Sequence, residues 1–216
     1  HLSNAGTFTD QASSSGGGVN MFSGNIIEQY KFYSTPFNNQ YFDAGSAISD
    51  FEFNIPNKFY YSIGLLGTEL AYKFQEQENF SIGLNYRYST LGILSALGVN
   101  LGDEKIVFQD LTLSSTYKLR GNIFNYQFSY GNSSNYHQSL GENSMLLKDA
   151  QEIDFTGEQW ISSLSHKIRK NRFYLKNTFN ISQRSAERFV NPDYTFLDST
   201  YSKSSDEFKL LKFSLF

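Results

Sequence analysis

Apolar and polar side chains alternate along most of this chain. Phe80, Ile82, Leu84, Tyr86 and Tyr88 interleave with Ser81, Gly83, Asn85 and Arg87. Leu111, Leu113, Tyr117 and Leu119, and then Phe124, Tyr126, Phe128 and Tyr130, repeat the pattern. A period of two places one set on each face of a β-strand. It predicts strands over 79–90, 105–119, 122–131, 156–169, 172–182 and 205–216, and no helical period competes over a long window. Val19 to Tyr33 alternates imperfectly, and Ala47 to Ile55 alternates until Pro56-Asn57 breaks it. Between Phe59 and Gln75 the apolar parity changes phase at Leu65-Leu66, which demands a bulge or a tight turn.

The connections are of two kinds. QEQEN (75–79), Arg120-Gly121-Asn122 and Arg169-Lys170-Asn171 are short, whereas 91–104, 132–155 and 183–204 are long. Alternating short and long links give an up-and-down barrel with tight turns at one end and long loops at the other, as in outer-membrane barrels. The expected fold is therefore all-β, an antiparallel up-and-down transmembrane β-barrel. Residues 1–16 form an N-terminal arm, and 17–216 form the barrel with loops 34–57, 91–104, 132–155 and 183–204.

Two strand counts fit. Eight, the favoured number, makes 18–32 and 59–75 neighbours and leaves 34–57 as a long first loop containing an extra ribbon. Ten, the alternative, makes 46–55 a membrane strand and splits 59–75 at Gly64–Gly67.

A soluble lipocalin-like barrel has the same period with its apolar side chains inside. Three features favour lipid. Strands of about ten residues match a tilted bilayer span. Aromatics gather at strand ends as a girdle, with Tyr72, Phe74 and Phe80 beside a short turn and Phe59, Tyr61, Tyr86 and Tyr88 toward the other rim. Lys and Arg lie mostly in turns or on the polar parity.

Composition narrows the function. A net charge of −3 leaves no basic footprint for nucleic acid. The absence of Cys excludes disulfides and thiolate chemistry. No run of about 18 apolar residues exists to form a transmembrane helix. The opening HLSNAGTFTD reads as a mature N-terminus.

GLLGTELAYKFQEQENFSIGLNYRYSTLG (64–92) resembles the second and third strands of the small outer-membrane β-barrel family of Bacteroidota, an OmpA/OmpX-like barrel domain without a periplasmic domain. GGGVNMFSG (16–24) is similar to the glycine-rich first strand of that family, and Phe216 resembles its C-terminal aromatic insertion signal. The likeness covers roughly a quarter of the chain. It departs at the end, where Leu211, Phe213 and Leu215 lie on the parity opposite Phe216. The resemblance implies residence in the outer membrane with both termini periplasmic.

On the polar parity, Glu69, Lys73, Arg87, Asp110, Lys118 and Lys176 would form a lumen charge network, because an isolated buried charge is very costly. No catalytic set is expected. His137 lies in a loop near Ser133, Ser134, Ser139 and Glu142, and His166 sits among apolar positions as a belt residue. Asp193 with Asp198, or Asp149 with Glu152 and Asp154, lack the spacing of a metal cage. No cofactor is expected.

The expected function is thus a non-enzymatic outer-membrane barrel, a structural or accessory subunit of a larger assembly, with lipid and other membrane proteins as partners. A small channel, a surface adhesion or ligand-binding barrel (through Phe189, Tyr194, Phe196 and Tyr201) and a soluble binder are the alternatives.

Overall fold

In the computed structural model the described residues are 21–34, 48–56, 58–64, 67–99, 104–138, 151–170, 173–192 and 202–215. The strands are β1 (Ile27–Tyr33), β2 (Ile48–Phe53), β3 (Tyr60–Ile63), β4 (Thr68–Gln77), β5 (Phe80–Tyr88), β6 (Glu104–Leu119), β7 (Asn122–His137), β8 (Gln151–Lys170), β9 (Phe173–Pro192) and β10 (Ser202–Leu215). One short helix, α1 (Thr90–Ala96), follows β5.

Strands β3 to β10 form one eight-stranded antiparallel meander in chain order, with β3 and β10 at its edges. Among the described residues these edges do not pair, so the sheet is open. The phase change between Phe59 and Gln75 is resolved as two strands, with Gly64 N–H bonded to Gly67 O between them. A bulge in β4 between Lys73 and Gln75 keeps the rest of the pairing with β5 in phase.

The sheet contains eight strands, but not the eight expected. The segment 18–32 is not a neighbour of 59–75. Its strand β1 pairs instead with β2, in a separate two-stranded ribbon. Nor is 16–24 a first strand in its described part, since Met21–Ser23 is irregular and Gly24–Ile26 is a 3-10 turn capped by Ser23 Oγ. The expected loops also shrink. β7 runs to His137 and β8 starts at Gln151 inside 132–155, β9 and β10 occupy much of 183–204, and 91–104 contains most of α1. These extensions were hidden because the alternation there changes character, as described below. The arm 1–16 and Phe216 lie outside the described residues.

Two of the expected short links, at 78–79 and 120–121, are among the described residues and join neighbouring antiparallel strands. Arg120 and Gly121 both have positive φ, 47° and 81°, the backbone that a two-residue hairpin needs to match strand twist. Arginine in the left-handed region costs about 1–2 kcal/mol relative to glycine. Asn is better tolerated there, so Arg120→Asn should raise stability by roughly 0.5–1 kcal/mol. Equilibrium denaturation of the two proteins checks this, and a lower midpoint for the variant would contradict the turn geometry.

Candidate functional site: a polar-faced sheet and the ribbon packed on it

The register orders the side chains into rows across the sheet. On one face Phe80, Tyr117, Phe124, His166 and Asn177 lie in line near the tight turns. Two rows farther up, Tyr72, Leu84, Leu113, Phe128, Ser162 and Ile181 align. Next come Tyr61, Leu70, Tyr86, Leu111, Tyr130, Trp160 and Gln183. Many of these apolar side chains are exposed; Leu164, in the middle of β8, is 48% accessible. The opposite face is polar and buried, with Asn85, Thr112, Ser129 and Gln159 all at or below 4%. This is the reverse of a water-soluble protein, in which the apolar face is inside.

Just above the Tyr86–Trp160 row the outer face changes. The next row reads Gln109, Asn132, Glu158 and Ser185, followed by Val107, Ser134, Thr156 and Glu187. At the same level the inner face acquires Phe108, Phe155 and Ile153, all buried, alongside buried Ser133, Asn135 and His137. On β8 the polarity thus inverts within one strand. Ile168, Leu164 and Trp160 point outward below the line, whereas Asp154, Thr156 and Glu158 are exposed above it.

The tyrosines mark the line. Tyr86 Oη donates to Gln109 Oε1 at 3.0 Å, and Tyr130 Oη accepts from Asn132 Nδ2 at 3.3 Å, so each ring lies in the apolar row and each hydroxyl reaches the polar one. At the turn end an aromatic file runs from Phe80 through Tyr117 to Phe124, which stacks on His166 at 4.4 Å. His166 Nε2 lies 2.9 Å from Asn122 Oδ1.

The expected girdle is partly reassigned. Phe80 belongs to the turn-side file, and Tyr61 and Tyr86 to the opposite rim, with Tyr88 one row above them. Tyr72 falls in the middle of the band, with Phe74 next to it at the bulge. Phe59 directly precedes Tyr60, which pairs with Ala71, so it lies toward the turn side and not at the far rim. Sequence spacing could not place it, because the split of 59–75 halves the distance from the rim.

All six lumen-parity residues occupy the polar face, but they do not form one network. Glu69, Arg87 and Asp110 are successive members of one row on β4, β5 and β6. The Arg87 Nη2–Asp110 Oδ2 distance is 2.7 Å and the Nε bond is 2.8 Å, and the guanidinium lies 5.0 Å from the centre of the Phe108 ring. Glu69 accepts 2.6 Å bonds from Asn85 and from Asn25. Lys73 lies opposite Gly83, two positions nearer the turns than Ala71. Lys118 and Lys176 belong to the last inner row, where Lys176 faces Lys167.

Against this face lies the base of the β1–β2 ribbon, which spacing alone did not reveal. Met21 and Phe22 pack on Phe108, with Ile27, Phe53 and Ile161 around them. Ile26 and Ile55 pack on Ala71. The two segments are joined by Asn54 N–H to Ile26 O at 2.8 Å. Gly83 leaves the space for Ile55, because a Cβ there would come within 2.9 Å of it. A glycine interrupting an alternating strand was the one sequence signal that a second segment approaches closely.

Arg87→Ala would strand the Asp110 carboxylate, which is 1% exposed, and should cost about 3–5 kcal/mol. Arg87→Met with Asp110→Leu should recover most of that loss. A double-mutant cycle by equilibrium unfolding measures both, and additive effects would show that the pair is not coupled. The chain matches no family model, no curated protein and no solved structure.

Proposed function

We propose that this chain is a transmembrane β-barrel of an outer membrane, acting without catalysis as a structural or accessory subunit of a larger membrane assembly. The observation that carries this reading is the inversion of polarity along one register line. A strand that buries polar side chains and displays apolar ones matches hydrocarbon outside, and the same strand with carboxylates outside and Phe inside matches water outside. The apolar rows from Ile168 to Trp160 on β8 cover about 27 Å of strand. With the usual tilt this approaches the ~25 Å apolar band of outer-membrane barrels, and the aromatic files bound it on both sides.

Orientation follows from the ends. The turn side, with exposed Arg120, Arg169 and Lys170, faces the periplasm. The long ends of β7, β8 and β9 rise beyond the band on the outer side, and the ribbon exposes Tyr30 and Phe32. These projecting parts are the surface offered to protein partners. Closure of the wall in lipid is required, since unpaired backbone groups cost several kcal/mol each there. Eight closed strands leave room for side chains only. A lumen that also holds the backbone of the ribbon base favours a wall of more than eight strands.

Leu164→Arg should weaken folding into liposomes by about 2–4 kcal/mol, whereas Thr156→Arg, four rows up on the same outer face, should change it by less than about 1 kcal/mol. Equal effects would remove the membrane assignment. Extraction of the wild-type protein into buffer without detergent would remove it as well. The accessory role is tested by purification from native membranes in mild detergent, where co-migrating partner chains are expected and migration as a monomer alone would contradict it.

A further inference from the structure

We propose that Met21–Ile27, together with Phe53–Ile55, is a displaceable stopper in a polar conduit that passes small hydrophilic ions when the stopper moves. The proposal rests on the membrane-barrel reading above and adds a gate to it.

The inner face has three zones. At the turn end lies a row with Lys118, Lys167 and Lys176. Above it come two mostly uncharged rows, Ser81, Thr116, Asn125, Ser165 and Thr178 with Glu76 on β4, then Gly83, Ser114, Gln127, Ser163 and Asn180 with Lys73 on β4 and Lys212 on β10. Such side chains line a hydrated path and do not build a dry core. From the level of Gly83 up to that of Phe108 the stopper lies against this path.

The stopper is apolar where it meets the wall at Ala71, Ile161 and Phe108. One direct polar bond to the wall runs from Asn25 Nδ2 to Glu69 Oε2. It fits because position 83 is glycine. Around the seat, Asn85 Oδ1, Asp110 Oδ1 and Gln159 Oε1 are buried without a hydrogen-bond partner among the described residues. Buried oxygens of this kind cost about 1–3 kcal/mol each unless water reaches them. The seat therefore sets buried, unpartnered polar oxygens beside the apolar contacts of the cover.

The cover is also continuous with the ribbon. Ile26 leads directly into β1, and Phe53 is the last residue of β2. Both β1 and the end of β2 reach toward Phe108, on the side away from the tight turns. A load on the ribbon is transmitted to the stopper through two covalent links.

The test uses the full chain in planar bilayers and in liposomes containing potassium chloride. Wild type should insert and show no conductance steps. Gly83→Val pushes on Ile55 and should give discrete steps, with chloride passing more readily than potassium because of the three lysines. Gly83→Val with Ile55→Gly restores the space and should return the channel to silence. Ser129→Cys, on the inner face, reports access; a membrane-impermeant maleimide should label it slowly in wild type. Asn25→Ala removes the stopper's bond to Glu69, which keeps its bond from Asn85, and it should speed labelling roughly tenfold or more, as loss of a charge-assisted bond shifts the closed population.

Wild-type steps equal to those of Gly83→Val would overturn the stopper. So would silent, unlabelled Gly83→Val and Asn25→Ala proteins that float with liposomes. Failure of the wild type to float with liposomes would overturn the membrane reading, and with it the gate, and is seen before any current is recorded.

Discussion

The structure depends on the rule that backbone hydrogen bonds must be satisfied whatever solvent surrounds the strands. A meander in chain order satisfies them between neighbours, and antiparallel pairing aligns side chains into rows. Once the rows exist, each face of each row is free to suit its surroundings. Here one row, running through Tyr86, Leu111, Tyr130 and Trp160, separates two regimes on the same strands. Below it the outer face is apolar. Above it the outer face carries Asp154, Thr156 and Glu158, and Phe155 turns inward.

The inner face obeys a different requirement. Its charges are affordable where they meet. Arg87 and Asp110 are adjacent across β5 and β6, and Glu69 is satisfied by two Asn side chains, one from the wall and one from the ribbon base. The lysines of the last row lie at the turn end, where Lys118 is exposed. Charge is thus sorted by depth. The ribbon base covers the middle of this face with Met21, Phe22, Ile26 and Ile55, which form two small apolar clusters with Phe108 and Ala71 of the sheet. Gly83 couples the two, because the absence of one Cβ admits Ile55.

Much of the fold was legible before any coordinates. The two-residue period located β5 to β10 and took β3 and β4 as one segment over 59–75 in the favoured count. The short links located the two described hairpin turns, and the parity rule put Glu69, Lys73, Arg87, Asp110, Lys118 and Lys176 on one face. The limits of β7, β8 and β9 were not legible. Where the outer face becomes polar and the inner face mixes Phe155 with Ser133 and Asn135, alternation loses its contrast and resembles a loop. The phase change at 64–67 was visible, but a bulge and a turn give the same pattern, and only pairing of Ser62 with Glu69 distinguishes them.

What the sequence determined by itself is therefore local: strand period, turn positions and which side chains share a face. These follow from the geometry of one strand and need no partner. What tertiary structure decided is relational. That β1 pairs with β2, that their base lies on Ala71 and Gly83, and that the apolar face points outward while Thr112 and Ser129 are buried all depend on contacts between residues far apart in the chain. A period of two is symmetric between inside and outside. The segment packed on one face breaks that symmetry.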